Sequence, residues 1–167
     1  KQPQTGRGGP RRPSARGAVR RFVSTGLSSC VMNNLDHFQR FGAMFLPGHL
    51  GIEIVEVRPA RVRAALVVKQ ALLAPNGFLH TGTVVTLADT CAGYGCVAAL
   101  PEGASGFTTV ELKSNHLGTA RGGVIECVAA LAHLGRTTQV WDATVTHRES
   151  GKTIALFRCT QMVLYPK

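Results

Sequence analysis

The 167-residue sequence lacks the short motifs that mark several large enzyme classes. It has no G-x-x-x-x-G-K-[S/T] loop, no G-x-G-x-x-G, no G-x-S-x-G and no H-E-x-x-H. The usual signs of nucleotide, serine-hydrolase and zinc-protease chemistry are therefore missing. None of its five cysteines (Cys30, Cys91, Cys96, Cys127, Cys159) forms a C-x-x-C pair. Cys91 and Cys96 are neighbours, but no second Cys or His pair completes a set of four ligands, so no metal site is expected. An odd number of thiols, four of them inside apolar runs, reads as reduced and buried cysteine in a cytoplasmic protein.

Acid is scarce too. Nine Asp+Glu stand against nineteen Lys+Arg, a formal net charge of +10. The imbalance is local. Residues 1–30 hold seven bases (Lys1, Arg7, Arg11, Arg12, Arg16, Arg20, Arg21) and no acid, which leaves twelve bases and nine acids, or +3, for the remainder. The basicity thus belongs to a tail, and no nucleic-acid partner is expected. A DNA-binding regulator would need a helix-turn-helix, and residues 1–50 offer one short helix. Residues 1–32 are rich in Gly, Pro, Ser and Arg without hydrophobic periodicity, so they are expected to stay disordered. Three origins remain open for them: an added or mis-started extension with Met32 as the true start, a transit peptide, or a secretory signal.

From residue 33 the pattern is that of a folded domain. Asn33-Asn34-Leu35-Asp36 offers helix caps, and Phe38, Phe41 and Phe45 follow at helical spacing, with Pro47-Gly48 as a stop. Alternating runs over 52–57 and 62–68, joined at Pro59-Ala60, predict a hairpin. Residues 72–79, with Pro75-Asn76-Gly77, read as a loop. Four more strand-like runs cover 107–116, 124–134, 137–147 and 153–165. Short turns between them suggest an antiparallel meander. In 107–116, Val110 and Leu112 are expected on one face, with Thr109, Glu111 and Lys113 on the other.

Between these runs lies Thr81 to Leu100, apolar on nearly every side, with Asp89 as its only charge. Such a helix is either buried or membranous. It barely reaches membrane-spanning length and contains four threonines and an aspartate, so a core helix is expected and no membrane partner. Gly93 and Gly95 then mark close approach of a strand or a second subunit. The expected architecture is α+β: an antiparallel sheet of about six strands wrapped around one long central helix.

The candidate chemistry clusters at Asn76, His80, Thr81, Gly82 and Asp89. A carboxylate in an apolar helix is costly unless it is paired or useful. A helix start offers unpaired N–H groups and the positive end of the dipole, which can stabilise an oxyanion. A nearby carboxylate base then completes what acyl transfer to water needs. Eight residues at about 1.5 Å rise put roughly 12 Å between Thr81 and Asp89. Two antiparallel helices of a symmetric dimer would close that gap. The alternative is plain: Asp89 bonds a neighbouring backbone, His80 caps the helix, and Asn76 is a turn residue.

The segments Asn76-Gly77-Phe78-Leu79-His80-Thr81-Gly82 and Leu87-Ala88-Asp89-Thr90 resemble the hotdog-fold thioesterases of the phenylacetate-pathway (PaaI-like) type. Residues 109–113, 115–117, 120–123 and 151–165 fit the later strands and turns of that family. The resemblance covers about residues 35–166. It implies a hotdog domain at 33–167 that hydrolyses acyl-CoA to free acid and CoA, with no cofactor beyond the CoA of the substrate. It implies Asp89 as general base or nucleophile, with the N–H of Thr81 or Gly82 from the opposite subunit as oxyanion donor. Asn76 and His80 would orient thioester or water, and Thr109 would assist Asp89. Arg121 and the turn Gly135-Arg136-Thr137 would hold the CoA arm. A homodimer, or a dimer of dimers, follows. Thr81 departs from the family, which has glycine there; were φ positive at that position, Thr would be strained. A non-catalytic acyl-CoA-binding protein is the competing reading. A hydratase of the same fold is a third, but its His-containing signature is missing.

Overall fold

The computed structural model describes residues 30–167, with side chains from residue 35 onward. The tail expected over residues 1–32 lies outside these residues except for its last three, which form the first turn of helix α1 (Cys30–Gly42). The helix therefore begins before the caps expected at 33–36. Its Leu35 and Phe38 turn towards the core. Pro47-Gly48 does not end it. These residues fall inside a separate short helix, α2 (Leu46–Leu50), where Pro sits in the first turn and needs no N–H partner. Gly51, at φ +81°, closes α2.

The hairpin forms as expected from strands β1 (Glu53–Arg58) and β2 (Arg61–Val67). Pro59-Ala60 is its two-residue turn, with Ala60 held at φ +67°. Gln39 of α1 clips the outer edge of β1: its amide donates to Ile52 O (3.2 Å) and accepts from Ile54 N (2.7 Å). After a loop come the central helix α3 (Thr81–Ala98) and strands β3 (Gly106–His116), β4 (Val124–Leu134), β5 (Thr138–His147) and β6 (Thr153–Leu164).

The six strands form one antiparallel sheet in the order β1-β2-β4-β5-β6-β3. Only β4-β5-β6 is a meander. β3 crosses to the far edge beside β6, and the 117–123 connection carries the chain back past two strands, β6 and β5, to β4. Alternation in a sequence reports which face a residue takes, not which strand lies next to it, so this crossover had no signature. Within β3 the expected faces also need correction. A bulge between Thr109 and Glu111 breaks the period. Thr109 and Leu112 pair opposite Gln161 and Cys159, on the helix side, while Glu111 and Lys113 share the outer face with Thr160 and Arg158. Val110 sits in the bulge and is 54% exposed.

The sheet curls round α3, whose buried residues occur on every turn. Gly95 explains the closeness of that contact. A Cβ there would lie 2.5 Å from the Trp141 ring of β5. The indole is fully buried, and its Nε1–H donates to Gln139 Oε1 (2.9 Å). Gln139 in turn donates to Ala99 O at the end of α3 (2.9 Å). Cys91, Cys96, Cys127 and Cys159 are free and buried in the same contact. No helix among the described residues is long and apolar enough to cross a membrane.

Two substitutions test this packing in opposite directions. Gly95→Ala should cost about 2 kcal/mol, because a locked indole cannot yield to the new methyl. Ala60→Gly should stabilise by about 0.5–1 kcal/mol, because it relieves a left-handed alanine. Chemical denaturation of both variants measures the two differences.

Candidate active site

The N-terminus of α3 is built from three segments. Leu72 O accepts from His80 N (3.1 Å) and from the Thr83 hydroxyl (3.1 Å), and Leu79 N donates to Ala120 O (3.0 Å). The preceding loop is a tight reversal in which Gly77 N donates to Ala74 O (2.8 Å) and Gly77 takes φ +79°. Asn76 is exposed there, and its carbonyl oxygen accepts from Phe78 N (3.2 Å). It serves the turn while lining a cavity of about 320 Å³ with Phe78, His80, Thr81, His116 and Thr119.

His80 is the N-cap. Its Nδ1 accepts from Gly82 N (2.9 Å), so in the neutral ring the proton resides on Nε2. This bond decides between two oxyanion donors. Gly82 N is taken by His80 Nδ1, and Thr83 N by His80 O (2.9 Å). Among the described residues, the Thr81 N–H has no hydrogen-bond partner. Thr81 is exposed and does not have positive φ, so a β-branched residue fits there without strain. The cavity thus gathers one free N–H, an imidazole and the positive end of an 18-residue helix.

Asp89 lies two turns further along, in a second cavity of about 470 Å³. Its walls are Thr90, Gly93, Tyr94 and Val97 of α3, Gly106 and Phe107 of β3, Leu100, Ser105 and Phe41 of α1. The Asp89 Oδ1 atom is buried without a hydrogen-bond partner, and burial pushes its carboxyl above the ordinary aspartate value. Thr109 is not among these walls. Its hydroxyl donates to Gln161 Oε1 (2.9 Å), and Gln161 Nε2 donates to Cys159 Sγ (3.3 Å).

The structure therefore brings Asn76, His80, Thr81 and Gly82 together and holds Asp89 apart from them. The cation sites are apart as well. Arg121 stacks over the Phe78 ring (4.4 Å) beside the first cavity. The Gly135-Arg136-Thr137 turn lies beyond the other end of β4, where Tyr165 OH donates to Arg136 O (2.6 Å). The two lie at opposite ends of the eleven-residue strand β4. Sequence reasoning missed Phe41, Gly93, Tyr94, Val97 and Phe107 as walls around Asp89, and His116 beside His80. The spacing of 89, 93 and 97 was a legible signal for two of them, Gly93 and Val97; His116 had none. No group of three or more His, Cys, Asp or Glu among the described residues could hold a metal ion.

A helix wrapped by an antiparallel sheet, with a carboxylate and a free helix-start N–H on that helix, is the arrangement of the hotdog-fold thioesterases. The sequence profile of the thioesterase superfamily matches residues 76–154. The chain is 33% identical over 117 residues to the 1,4-dihydroxy-2-naphthoyl-CoA hydrolase of Listeria monocytogenes, covering 70% of this chain and 94% of that one. It superposes on a thioesterase of Pseudomonas aeruginosa at 28% identity and TM-score 0.73, covering 78% of this chain and 93% of the other. A thioesterase family protein of Silicibacter pomeroyi is 31% identical with TM-score 0.71, covering 80% and 99%. The chain belongs to the thioesterase superfamily and is a thioester hydrolase.

The buried carboxylate has a sign that can be measured. A carboxyl whose folded pKa is raised favours the folded state when protonated, and this contribution is lost as pH rises through the folded value. Asp89→Asn should therefore melt higher than the wild type at neutral pH, and the gain should shrink as pH falls towards the ordinary aspartate range. Thermal melts across pH 4–8 check this.

Proposed function

We propose that this protein hydrolyses acyl-CoA, with an aryl acyl group favoured, to the free acid and CoA in a site shared between two copies. The observation that carries the reading is the placement of its two half-sites. The cavity at the start of α3 includes His116 at the end of β3, and the Asp89 cavity includes Gly106 and Phe107 at its beginning. β3 is an edge strand with Val110 and Leu112 exposed. Pairing β3 antiparallel with its copy about a two-fold axis sets the beginning of one strand against the end of the other. Each Asp89 cavity then meets the helix start of the other subunit, which bridges the separation that one helix imposes.

In the reaction, the thioester carbonyl oxygen accepts from Thr81 N–H, and His80 Nε2–H lies in the same cavity to orient it. Asp89 takes the proton of the attacking water, oxygen bonds to the carbonyl carbon, the C–S bond breaks, and the thiolate leaves as CoA. Asp89 as direct nucleophile is the variant of this route. During a single turnover, oxygen from labelled water enters the acid when Asp89 acts as base, whereas label appearing in the Asp89 carboxylate marks a covalent anhydride and Asp89 as nucleophile. The raised carboxyl suits a base, because it stands closer to working pH. The aromatic walls Phe41, Tyr94 and Phe107 support an aryl group over a short chain. Arg121, together with the Gly135-Arg136-Thr137 turn of the other subunit, would receive the phosphates of CoA. No cofactor enters the scheme. The buried free thiols fit a cytoplasmic setting.

The test uses two inactive variants. Asp89→Asn should lower kcat by about a hundredfold or more, the scale of a lost acid–base group. Thr81→Pro removes the N–H at a helix position that tolerates proline and should also be nearly inactive. Mixed and re-equilibrated in equal amounts, they should recover about a quarter of wild-type activity, because half the dimers are mixed and each holds one intact site. No recovery would reject the shared site. An inert wild type that still binds acyl-CoA would favour the non-catalytic reading.

A further inference from the structure

Asp89, Gly93 and Val97 recur every fourth residue and form one stripe along α3, with Thr90 and Tyr94 beside it. All five line the Asp89 cavity. At about 1.5 Å per residue, Gly93 stands about 6 Å beyond Asp89 and Val97 about 12 Å beyond. An acyl group whose carbonyl sits at Asp89 extends along this stripe towards Leu100. At the level of Gly93 the opposite wall is Phe107. A Cβ on Gly93 would lie 3.1 Å from Phe107 Cζ, so the tip of that ring rests on bare helix backbone. Gly93 differs here from Gly95, whose added Cβ would strike a fully buried indole. Phe107 is half-buried beside open space, so it can move, and its position depends on what stands at residue 93.

We propose that Phe107, seated on Gly93, is the specificity-determining wall of the acyl cavity, and that Gly93 acts on specificity only through Phe107. The wall sits about 6 Å past the carbonyl, the reach of one aromatic ring. A flat ring passes beside the Phe107 face and gains an aromatic contact there. A long flexible chain must thread the same gap without that contact. The assignment rests on the hydrolase reading for its kinetic test, but it also has a test by binding alone.

The experiment compares wild type, Gly93→Ala, Phe107→Ala and the double variant on benzoyl-CoA and octanoyl-CoA, with melting temperatures alongside. Phe107→Ala should lower the ratio of kcat/KM for benzoyl- over octanoyl-CoA by about tenfold or more, the scale at which a pocket reads a small change of shape. Gly93→Ala should lower the same ratio in the wild-type background and leave it unchanged when Phe107 is already Ala, the non-additivity expected of one residue acting through another. Its melting temperature should be no lower than wild type, because Ala is the better helix former. The proposal is overturned if Phe107→Ala changes both substrates in parallel, or if the effect of Gly93→Ala persists in the Phe107→Ala background. If the wild type hydrolyses neither substrate, the hydrolase reading fails while the wall remains testable through calorimetric affinity for phenacyl-CoA, a ketone analogue that cannot be hydrolysed. Tenfold weaker binding by Phe107→Ala supports the wall; equal binding, or no binding by wild type, overturns it.

Discussion

A helix without a polar side must be covered on every side, and the rest of this molecule follows from covering α3. The sheet can approach closely because Gly95 offers no side chain to the Trp141 ring. Glycine in a helix interior costs about 1 kcal/mol against alanine. Burial of the largest side chain in the sequence offsets that, and the indole N–H then needs an acceptor inside the core. Gln139 supplies it and passes a hydrogen bond on to the end of α3. The close contact, the buried amide and the end of the helix therefore stand or fall together.

The same covering leaves two openings, and both lie along the edge strand β3. One exposes the start of α3 and the other exposes its carboxylate. Each opening alone is chemically incomplete. A helix terminus without a base binds an anion, and a buried carboxylate without an electrophile is only a cost to folding. The cap at His80 sharpens this division: by taking the Gly82 N–H it leaves Thr81 as the free donor and fixes which imidazole nitrogen carries the proton.

Much of this was legible in the sequence because turns and periodicity are local. The strands after α3 begin and end within a residue or two of their Gly- and Ser-rich turns. The apolar run with one acid gave both the central helix and its unusual residue. What was not legible depends on tertiary neighbours. The place of β3 at the far edge, the bulge at Thr109–Glu111 and the engagement of Thr109 by Gln161 leave no local trace. Phe38 and Phe41 share one helical pattern, yet the first is buried and the second borders the Asp89 cavity. Proline misled for a physical reason: Pro47 stops a helix that reaches it but suits the first turn of one that begins there.

The sulfur atoms carry a consequence of their own. Four thiols point into the contact between α3 and the sheet. Burial pushes Cys96 up to about 11 and Cys159 up to about 12, the latter helped by the nearby Asp89 charge. Only a thiolate attacks an alkylating reagent, so Cys96 and Cys159 are shielded twice, by cover and by protonation. They become reactive when the sheet lifts off the helix. Their rate of alkylation is therefore a clock for breathing of the core, and comparing α3 cysteines with those of β4 and β6 would tell whether the two layers part as a unit or strand by strand.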